Sequence, residues 1–237
     1  MGTVTVEREP QEVRVYVFGD SLCFGQYVSP HHVWVTLLSA ALERDLAPHG
    51  LKVLVQNPSV NGNTTRQALE RAPYDFQAHR PDFVFILFGL NDCNHWDTDL
   101  GHPRVSIEAF RDNMAELIRR AFQHGAGKVF VATNHPLLRT TVKLANGLGP
   151  TYEESNRRYA AVIHEAVQQE GATLIDTRAA FEATVADGRP LAELLLPDGL
   201  HLSEAGHELY FQLIYPIVAC ALLDYAAQAG HTAMRQA

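Results

Sequence analysis

The sequence has few cysteines, no excess of basic charge and no long uninterrupted hydrophobic run. Its three cysteines, Cys23, Cys93 and Cys220, are odd in number and widely spaced, which argues against a disulfide framework and against a C-x-x-C metal or redox site. The formal net charge is −8, so the chain offers no basic face to a nucleic-acid backbone or to anionic lipid. No stretch reaches the roughly 18 uncharged apolar residues that a membrane span requires. We therefore expect neither a nucleic-acid partner nor membrane insertion.

The N-terminal segment also lacks the apolar core of a secretory signal, because residues 1–12 carry four charged side chains. This absence predicts a cytoplasmic protein. With 46% hydrophobic and 19% charged residues over 237 positions, the composition is that of a globular chain with one core. We expect a single domain over 1–237, with an N-terminal extension at 1–12 and a flexible C-terminal tail at 228–237.

Short apolar runs alternate with segments of helical spacing along the whole chain. The runs lie at 13–18, 53–55, 83–88, 128–132 and 173–175, and the helical segments at 33–46, 64–79, 106–124, 152–170 and 203–227. Parallel strands need a crossover between them, so this alternation predicts a three-layer α/β/α sandwich with a five-stranded parallel sheet. Ligands bind beyond the carboxyl ends of such strands, which gives weight to motifs found there. The last helical segment is apolar enough to bury against the sheet or to pair with a second copy in a homo-oligomer.

The first such motif is Gly19-Asp20-Ser21-Leu22, directly after the first predicted strand. Glycine permits a tight turn that presents the Ser21 hydroxyl at the end of the strand, where a base would make it a nucleophile. A serine in a turn also commonly caps the following helix, and this motif alone does not separate the two readings.

A base with its own partner is predicted near the other end of the chain, at Asp198-Gly199-Leu200-His201. Three residues of separation in a turn bring a carboxylate near its histidine, whose other ring nitrogen then faces away. The alternative is that Asp198 caps the turn and His201 is a surface histidine.

Two further turns offer hydrogen-bond donors to a developing oxyanion. Asn91 follows the third strand and brings a side-chain amide, while Gly62 follows the second strand and allows its backbone N–H to approach a ligand. Both positions are also compatible with simple turn formation.

Together these four blocks resemble, in order and spacing, those of the SGNH hydrolase family, also called GDSL esterases and lipases. The resemblance spans Gly19 to His201 and implies a flavodoxin-like SGNH hydrolase fold and a serine esterase without a metal or other cofactor. It implies catalytic Ser21, Asp198 and His201, and an oxyanion hole formed by Ser21, Gly62 and Asn91. It gives Asp20 and Asp92 a supporting role in the turns that aim Ser21 and Asn91. Leu90 and Leu202 depart from residues frequent in the family, which affects subfamily and not mechanism.

The alternatives from other classes are a cysteine nucleophile at Cys23 or Cys93, a metal site and a non-catalytic module. The histidines that suggest a metal lack the paired spacing of a zinc site: His31, His32, His95, His102 and His135. A flavodoxin-like sheet whose 19–25 loop cradles a phosphate or flavin would need none of Asn91, Asp198 and His201.

The loops at 93–104 and 139–150 are predicted to wall the substrate site, with His95, Trp96 and His135 as substrate-binding residues. Their polar character favours a small-molecule ester with a short acyl group, such as acetyl, on a polar alcohol such as a carbohydrate. A thioesterase or lysophospholipase with the same triad is the alternative.

Overall fold

In the computed structural model, each of the five predicted apolar runs forms a strand of one parallel sheet. The structure describes residues 10–141 and 149–236, and it does not describe the side chains of Asp97 and of residues 229–236. The strands are β1 (Gln11–Gly19), β2 (Leu51–Gln56), β3 (Phe83–Leu87), β4 (Lys128–Ala132) and β5 (Thr173–Ile175), in the order β2-β1-β3-β4-β5. The central β3 is buried along its whole length, which explains why its sequence shows no polar alternation.

Helices follow each strand. They are α1 (Ser21–Phe24), α2 (Trp34–Leu46), α3 (Thr65–Asp75), α4 (Leu90–Cys93), α5 (Ile107–Gln123), α6 (Tyr152–Glu170), α7 (Thr177–Ala186), α8 (Leu191–Leu194) and α9 (Glu204–Gln236). Single 3₁₀ turns lie at Pro30–His32, Ala47–His49, Gln77–His79 and Asp97–Asp99.

The strand order determines the two helical layers. Crossovers between parallel strands are right-handed, and the chain steps from β1 to β2 in one direction and through β3, β4 and β5 in the other. The helix α2 therefore lies on the opposite face from α3, α5 and α6. Consistent with this, α2 packs against α9, while α5 packs against α3 and α6. The predicted three-layer α/β/α sandwich is confirmed.

The structure differs from the sequence prediction mainly at element ends. Strand β1 begins at Gln11, inside the predicted N-terminal extension, and α9 continues to Gln236, through the predicted tail. The predicted helix at 64–79 ends at Asp75, and a separate 3₁₀ turn follows it. The helices α7 and α8 were not predicted. Residues 1–9 of the predicted extension and 142–148 of the predicted wall loop lie outside the described residues.

The long helix α9 contributes to the core through one face. Tyr210, Ile214, Val218 and Leu222 are buried, whereas Ile217 is exposed. Its segment Glu204–Gln228 is long and apolar enough by length and composition to cross a membrane: an 18-residue window within it has a mean hydropathy of 1.5, and a third of that window is buried in the fold. The core helix of a soluble protein has the same composition.

Candidate active site

The predicted functional residues meet where the strand order reverses, between β1 and β3. These strands pair in register up to Gly19 and Leu87, so their carboxyl ends lie side by side. Ser21 follows β1 and Asn91 follows β3 within four residues of that edge. A crevice at such a reversal point is where open parallel sheets bind their ligands.

The turn that carries Ser21 is fixed from several directions. A Cβ at Gly19 would lie 2.5 Å from the Cys23 sulfur and 2.9 Å from the Leu87 carbonyl oxygen, so only glycine allows α1 to pack this closely against the sheet. The Asp20 carboxylate caps α1 by accepting the Leu22 N–H at 3.0 Å. The indole of the fully buried Trp34 donates to the Leu22 carbonyl at 2.9 Å. Ser21 therefore stands at the first position of a rigid helical turn.

Ser21, His201 and Asp198 form a continuous hydrogen-bonded chain. The Nε2 atom of His201 lies 3.1 Å from the Ser21 hydroxyl oxygen, and its Nδ1 lies 2.5 Å from Oδ2 of Asp198. The other carboxylate oxygen of Asp198 accepts the backbone N–H groups of Leu200 and His201, at 2.9 and 3.0 Å. Because an ionised carboxylate only accepts, Nδ1 carries the ring proton and Nε2 is left to accept the serine proton.

The charge of Asp198 is stabilised locally. Partial burial disfavours the charged form, but the hydrogen bonds from the His201 ring and from the His201 and Leu200 N–H groups outweigh it, and the pKa of Asp198 is lowered from its usual value. Arg139 lies beside this carboxylate: its Nε donates to the Asp198 backbone carbonyl oxygen at 2.8 Å, and its Nη2 is 3.8 Å from Oδ2. The carboxylate therefore stays ionised at neutral pH.

The three residues predicted to form the oxyanion hole line the same pocket as His201. They are Ser21, Gly62 and Asn91. Gly62 has a φ of 76°, a left-handed conformation that favours glycine, and the position of its absent Cβ is open space. Ser21 begins α1, so its N–H has no intrahelical acceptor. Among the hydrogen bonds of the described residues, none uses the N–H of Ser21 or Gly62.

Two buried carboxylates brace these turns. Asp20 accepts the Asn91 amide at 3.0 Å, and Asp92 accepts the backbone N–H and the hydroxyl of Thr65, at 2.9 and 2.5 Å. Burial raises the pKa of Asp20 to about 7 and that of Asp92 to about 6. Asp20, which precedes Ser21, thus links the Ser21 turn to Asn91. Asp92, which follows Asn91, links the Asn91 turn to the start of α3.

The cavity in front of Ser21 is small, about 210 Å³, and both polar and apolar side chains line it. Its walls are Ser21, Gln26, Gly62, Leu90, Asn91, Asn94, Trp96, Arg139, Tyr152, Leu200 and His201. Asn94 and Trp96 belong to the predicted wall loop at 93–104, whereas Gln26 and Tyr152 were not predicted to line the cavity, and no local motif marks them. Tyr27 was also missed; its exposed ring meets the His201 ring edge-on with centroids 5.3 Å apart.

Two of the three predicted substrate-binding residues are not at this cavity. His135 is fully buried, and its ring nitrogens lie 2.9 Å from the Tyr210 hydroxyl and 2.8 Å from the Leu200 carbonyl oxygen. Burial lowers its pKa to about 3, so it is a neutral core residue, and its predicted substrate contact is wrong. His95 lines a neighbouring cavity with Cys93 and Tyr159 and is not among the residues that line the cavity in front of Ser21. Trp96 does border the catalytic pocket, with its ring more than half exposed.

The competing nucleophiles and metal ligands have no comparable arrangement. Cys23 and Cys93 are buried, and burial raises the pKa of both thiols well above the usual value, so neither forms a thiolate readily. Within the described ranges, no three histidine, cysteine or acidic side chains come together as a metal ion would require. The serine is the only one of these nucleophile candidates that contacts a base in the described part of the chain.

Comparison with known proteins supports the same assignment. The sequence model of the GDSL-like Lipase/Acylhydrolase family matches residues 17–209. An arylesterase of Vibrio mimicus is 39% identical over 106 residues, 45% of this chain and 48% of that protein. An acetylxylan esterase of Geobacillus stearothermophilus is 26% identical over 168 residues, 66% of this chain and 68% of that protein. The chain spans about half the length of the first curated relatives it matches, 47% and 48%.

The fold also has solved counterparts. The crystal structure of LAE5, an alpha/beta hydrolase enzyme from the metagenome of Lake Arreo in Spain, superposes with a TM-score of 0.72. It covers 90% of this chain and 97% of its own, at 21% sequence identity.

Proposed function

Because the chain belongs to the GDSL-like lipase/acylhydrolase family, we propose that it is a serine esterase whose triad is Ser21, His201 and Asp198. The observation that carries this proposal is the hydrogen-bonded chain from the Ser21 hydroxyl through His201 to Asp198, with distances of 3.1 and 2.5 Å. A nucleophile, a base and an orienting carboxylate in hydrogen-bond contact are what acyl transfer requires.

The reaction proceeds in two acyl transfers. His201 Nε2 takes the Ser21 proton as Oγ attacks the ester carbonyl, and the imidazolium then gives that proton to the departing alcohol oxygen. Water then attacks the acyl carbonyl and loses a proton to His201, and the imidazolium returns that proton to Ser21 Oγ as the acid departs. Asp198 holds the ring in the required tautomer and stabilises its cation during both steps.

The tetrahedral oxyanion is held by the N–H groups of Ser21 and Gly62 and by the Asn91 amide. All three belong to different turns that the sheet edge brings to one cavity. Fixed donors of this kind stabilise the charge that develops in the transition state.

Asn91→Ala is therefore expected to lower kcat by roughly a hundredfold or more with little change in KM, because the amide acts mainly on the transition state. Steady-state kinetics on 4-nitrophenyl acetate measure both constants. If KM rises while kcat is unchanged, Asn91 binds substrate and has no part in the oxyanion hole.

The pocket favours a short acyl group. A cavity of about 210 Å³ gives a long alkyl chain little room, and Gln26, Asn94 and Arg139 in its walls offer hydrogen bonds to a polar group. The rim carries two exposed aromatic rings, Trp96 and Tyr27, which suit a flat amphipathic alcohol such as a sugar. We accordingly place acetyl esters of a carbohydrate first, in line with the acetylxylan esterase among the relatives.

An ester series tests this substrate class. With the 4-nitrophenol leaving group kept constant, kcat/KM is expected to fall by at least about tenfold from acetate to octanoate, since the small cavity has no room for the extra methylenes. Acetylated xylo-oligosaccharides should be deacetylated, and acetyl thioesters should react more slowly than the matched oxygen esters. A rate that rises with chain length would instead favour the thioesterase or lysophospholipase alternative.

The flavodoxin-like alternative conflicts with the geometry of the 19–25 loop. Its backbone N–H groups from Leu22 to Gly25 are bound to Asp20 or to the Ser21 carbonyl, so they are not available to a phosphate.

A further inference from the structure

Arg104 lies where the loop after α4 rejoins the fold. Its backbone N–H donates to the Asn94 carbonyl at 2.8 Å, and the next residue, Val105, donates to the Asp92 carbonyl at 3.1 Å. These two bonds close the loop at its base, immediately beside Asn91. The Arg104 side chain therefore starts from a fixed point of the backbone and not from a free loop tip.

The guanidinium of Arg104 contacts two of the proposed oxyanion-hole residues, Gly62 and Asn91. Its Nη1 donates to the Gly62 carbonyl at 3.0 Å and approaches Oδ1 of Asn91 at 3.4 Å. Gly62 follows β2 and Asn91 follows β3, so one side chain joins two separate turns. The Trp96 ring also lies near the guanidinium, 5.5 Å from centroid to central carbon, and restricts its position.

Asn91 is held from its opposite end by Asp20. The Asn91 Nδ2 donates to Asp20 at 3.0 Å, while its Oδ1 faces the Arg104 donor. Because Arg104 donates to the amide oxygen and Asp20 accepts from the amide nitrogen, only one orientation of the Asn91 amide satisfies both contacts. Nδ2 carries two N–H groups, so one remains for the oxyanion after Asp20 has taken the other. A cation at Oδ1 also polarises the amide and makes that remaining N–H a stronger donor.

We propose that Arg104 is a positioning residue of the oxyanion hole, which fixes the Asn91 amide and the Gly62 peptide in the geometry that stabilises the transition state. The proposal rests on the proposed esterase function. It assigns Arg104 no contact with substrate: Arg104 acts through Asn91 and Gly62. Loss of the guanidinium should accordingly reduce kcat and leave KM nearly unchanged.

Arg104→Met is expected to lower kcat on 4-nitrophenyl acetate by about tenfold or more, with KM changed by less than about twofold. Arg104→Lys, which keeps the charge without the planar fork, should retain an intermediate kcat. Added ethylguanidinium should restore part of the kcat of Arg104→Ala. In an Asn91→Ala background, Arg104→Met should cost less than about threefold further, because the residue through which it acts is gone.

Arg66→Met is the matched control. Arg66 is exposed on α3 and makes no hydrogen bond to Gly62 or Asn91 among the described contacts, so the same loss of charge should leave kcat within about twofold. The proposal is overturned if Arg104→Met raises KM without lowering kcat, if it leaves both constants unchanged, or if its cost is undiminished in the Asn91→Ala background.

A second readout does not depend on turnover. In protein labelled with ¹⁵N-asparagine, the side-chain NH₂ signal that Asn91→Ala removes should shift in Arg104→Met and stay in place in Arg66→Met. If the wild type hydrolyses no ester but this signal shifts, the proposed function fails and the contact with Asn91 stands. If the signal does not move in Arg104→Met, the positioning role fails whatever the activity.

Discussion

Ser21→Ala is expected to lower kcat toward an activated ester by at least about 10³-fold, because no other described side chain can form the acyl intermediate. The hydroxyl is nearly buried and bonds to His201 at 3.1 Å, so its removal takes away the nucleophile without opening a core cavity. The thermal midpoint should accordingly change little. Residual turnover would come from the oxyanion hole and substrate binding.

Covalent labelling tests the same residue independently of turnover. A fluorophosphonate should modify the wild type at Ser21 alone, as located by peptide mass spectrometry, and should not modify Ser21→Ala. Ser29→Ala, an exposed serine in the following segment, is the matched control and should label and react as the wild type does. Modification at Cys23 or Cys93 would overturn the assignment, and the burial of both thiols argues against that result.

The parts of the fold that sequence reasoning predicted well have local signals. Helix α6 was predicted from Tyr152 to Glu170, and both ends are set by neighbouring residues. Thr151 and Glu154 form a capping box with bonds of 2.6 and 3.1 Å, and Gly171 ends the helix with a φ of 71°. Strands β4 and β5 were likewise predicted to the residue, because each is an apolar run between polar turns.

Helix α7 was missed because its inner face is not apolar. The buried residues of that helix are Thr177, Arg178 and Phe181, of which only Phe181 contributes to a hydrophobic pattern. Arg178 is tolerated there because its guanidinium bonds to Glu153 at 2.7 Å, a partner 25 residues away. A buried ion pair of this kind has no periodic signature in the sequence.

Within the site as well, what could be predicted depends on whether the partners of a residue are close to it in the sequence. Asp198 and His201 are three residues apart, so their contact follows from a turn, and strand ends indicate where Ser21 and Asn91 lie. His135 also follows a strand, but its direction depends on Tyr210 and Leu200, which are 75 and 65 residues away. Arg104 was overlooked for a similar reason, since its partner Gly62 is 42 residues away. Position after a strand predicts proximity to the site and not the direction of a side chain.

If Asp198 orients His201 as proposed, Asp198→Asn is expected to lower kcat/KM by about 10²- to 10⁴-fold without abolishing it. The Oδ1 atom of Asp198 accepts two backbone N–H groups, and an asparagine would keep its oxygen there and turn its NH₂ toward His201 Nδ1. The ring would then have to carry its proton on Nε2, which faces Ser21 and could no longer accept the serine proton. Ser21 and the oxyanion hole remain, which accounts for the residual activity.

The pH profile of kcat/KM separates this orienting role from a merely structural one. In the wild type, activity should fall on acidification along one limb between about pH 5 and 8, because the base must be a neutral imidazole to accept the serine proton. The limb does not report Asp198, since its pKa is lowered and the carboxylate stays ionised through this range. Removing that carboxylate removes the charge that favours the imidazolium, so the limb of Asp198→Asn should move to lower pH.

Asp187→Asn, which changes an exposed carboxylate after α7, is the matched control and should leave the limb in place. A flat wild-type profile from about pH 5 to 9 would mean that His201 is not the base. A limb that stays where it was in Asp198→Asn would mean that Asp198 is not its partner.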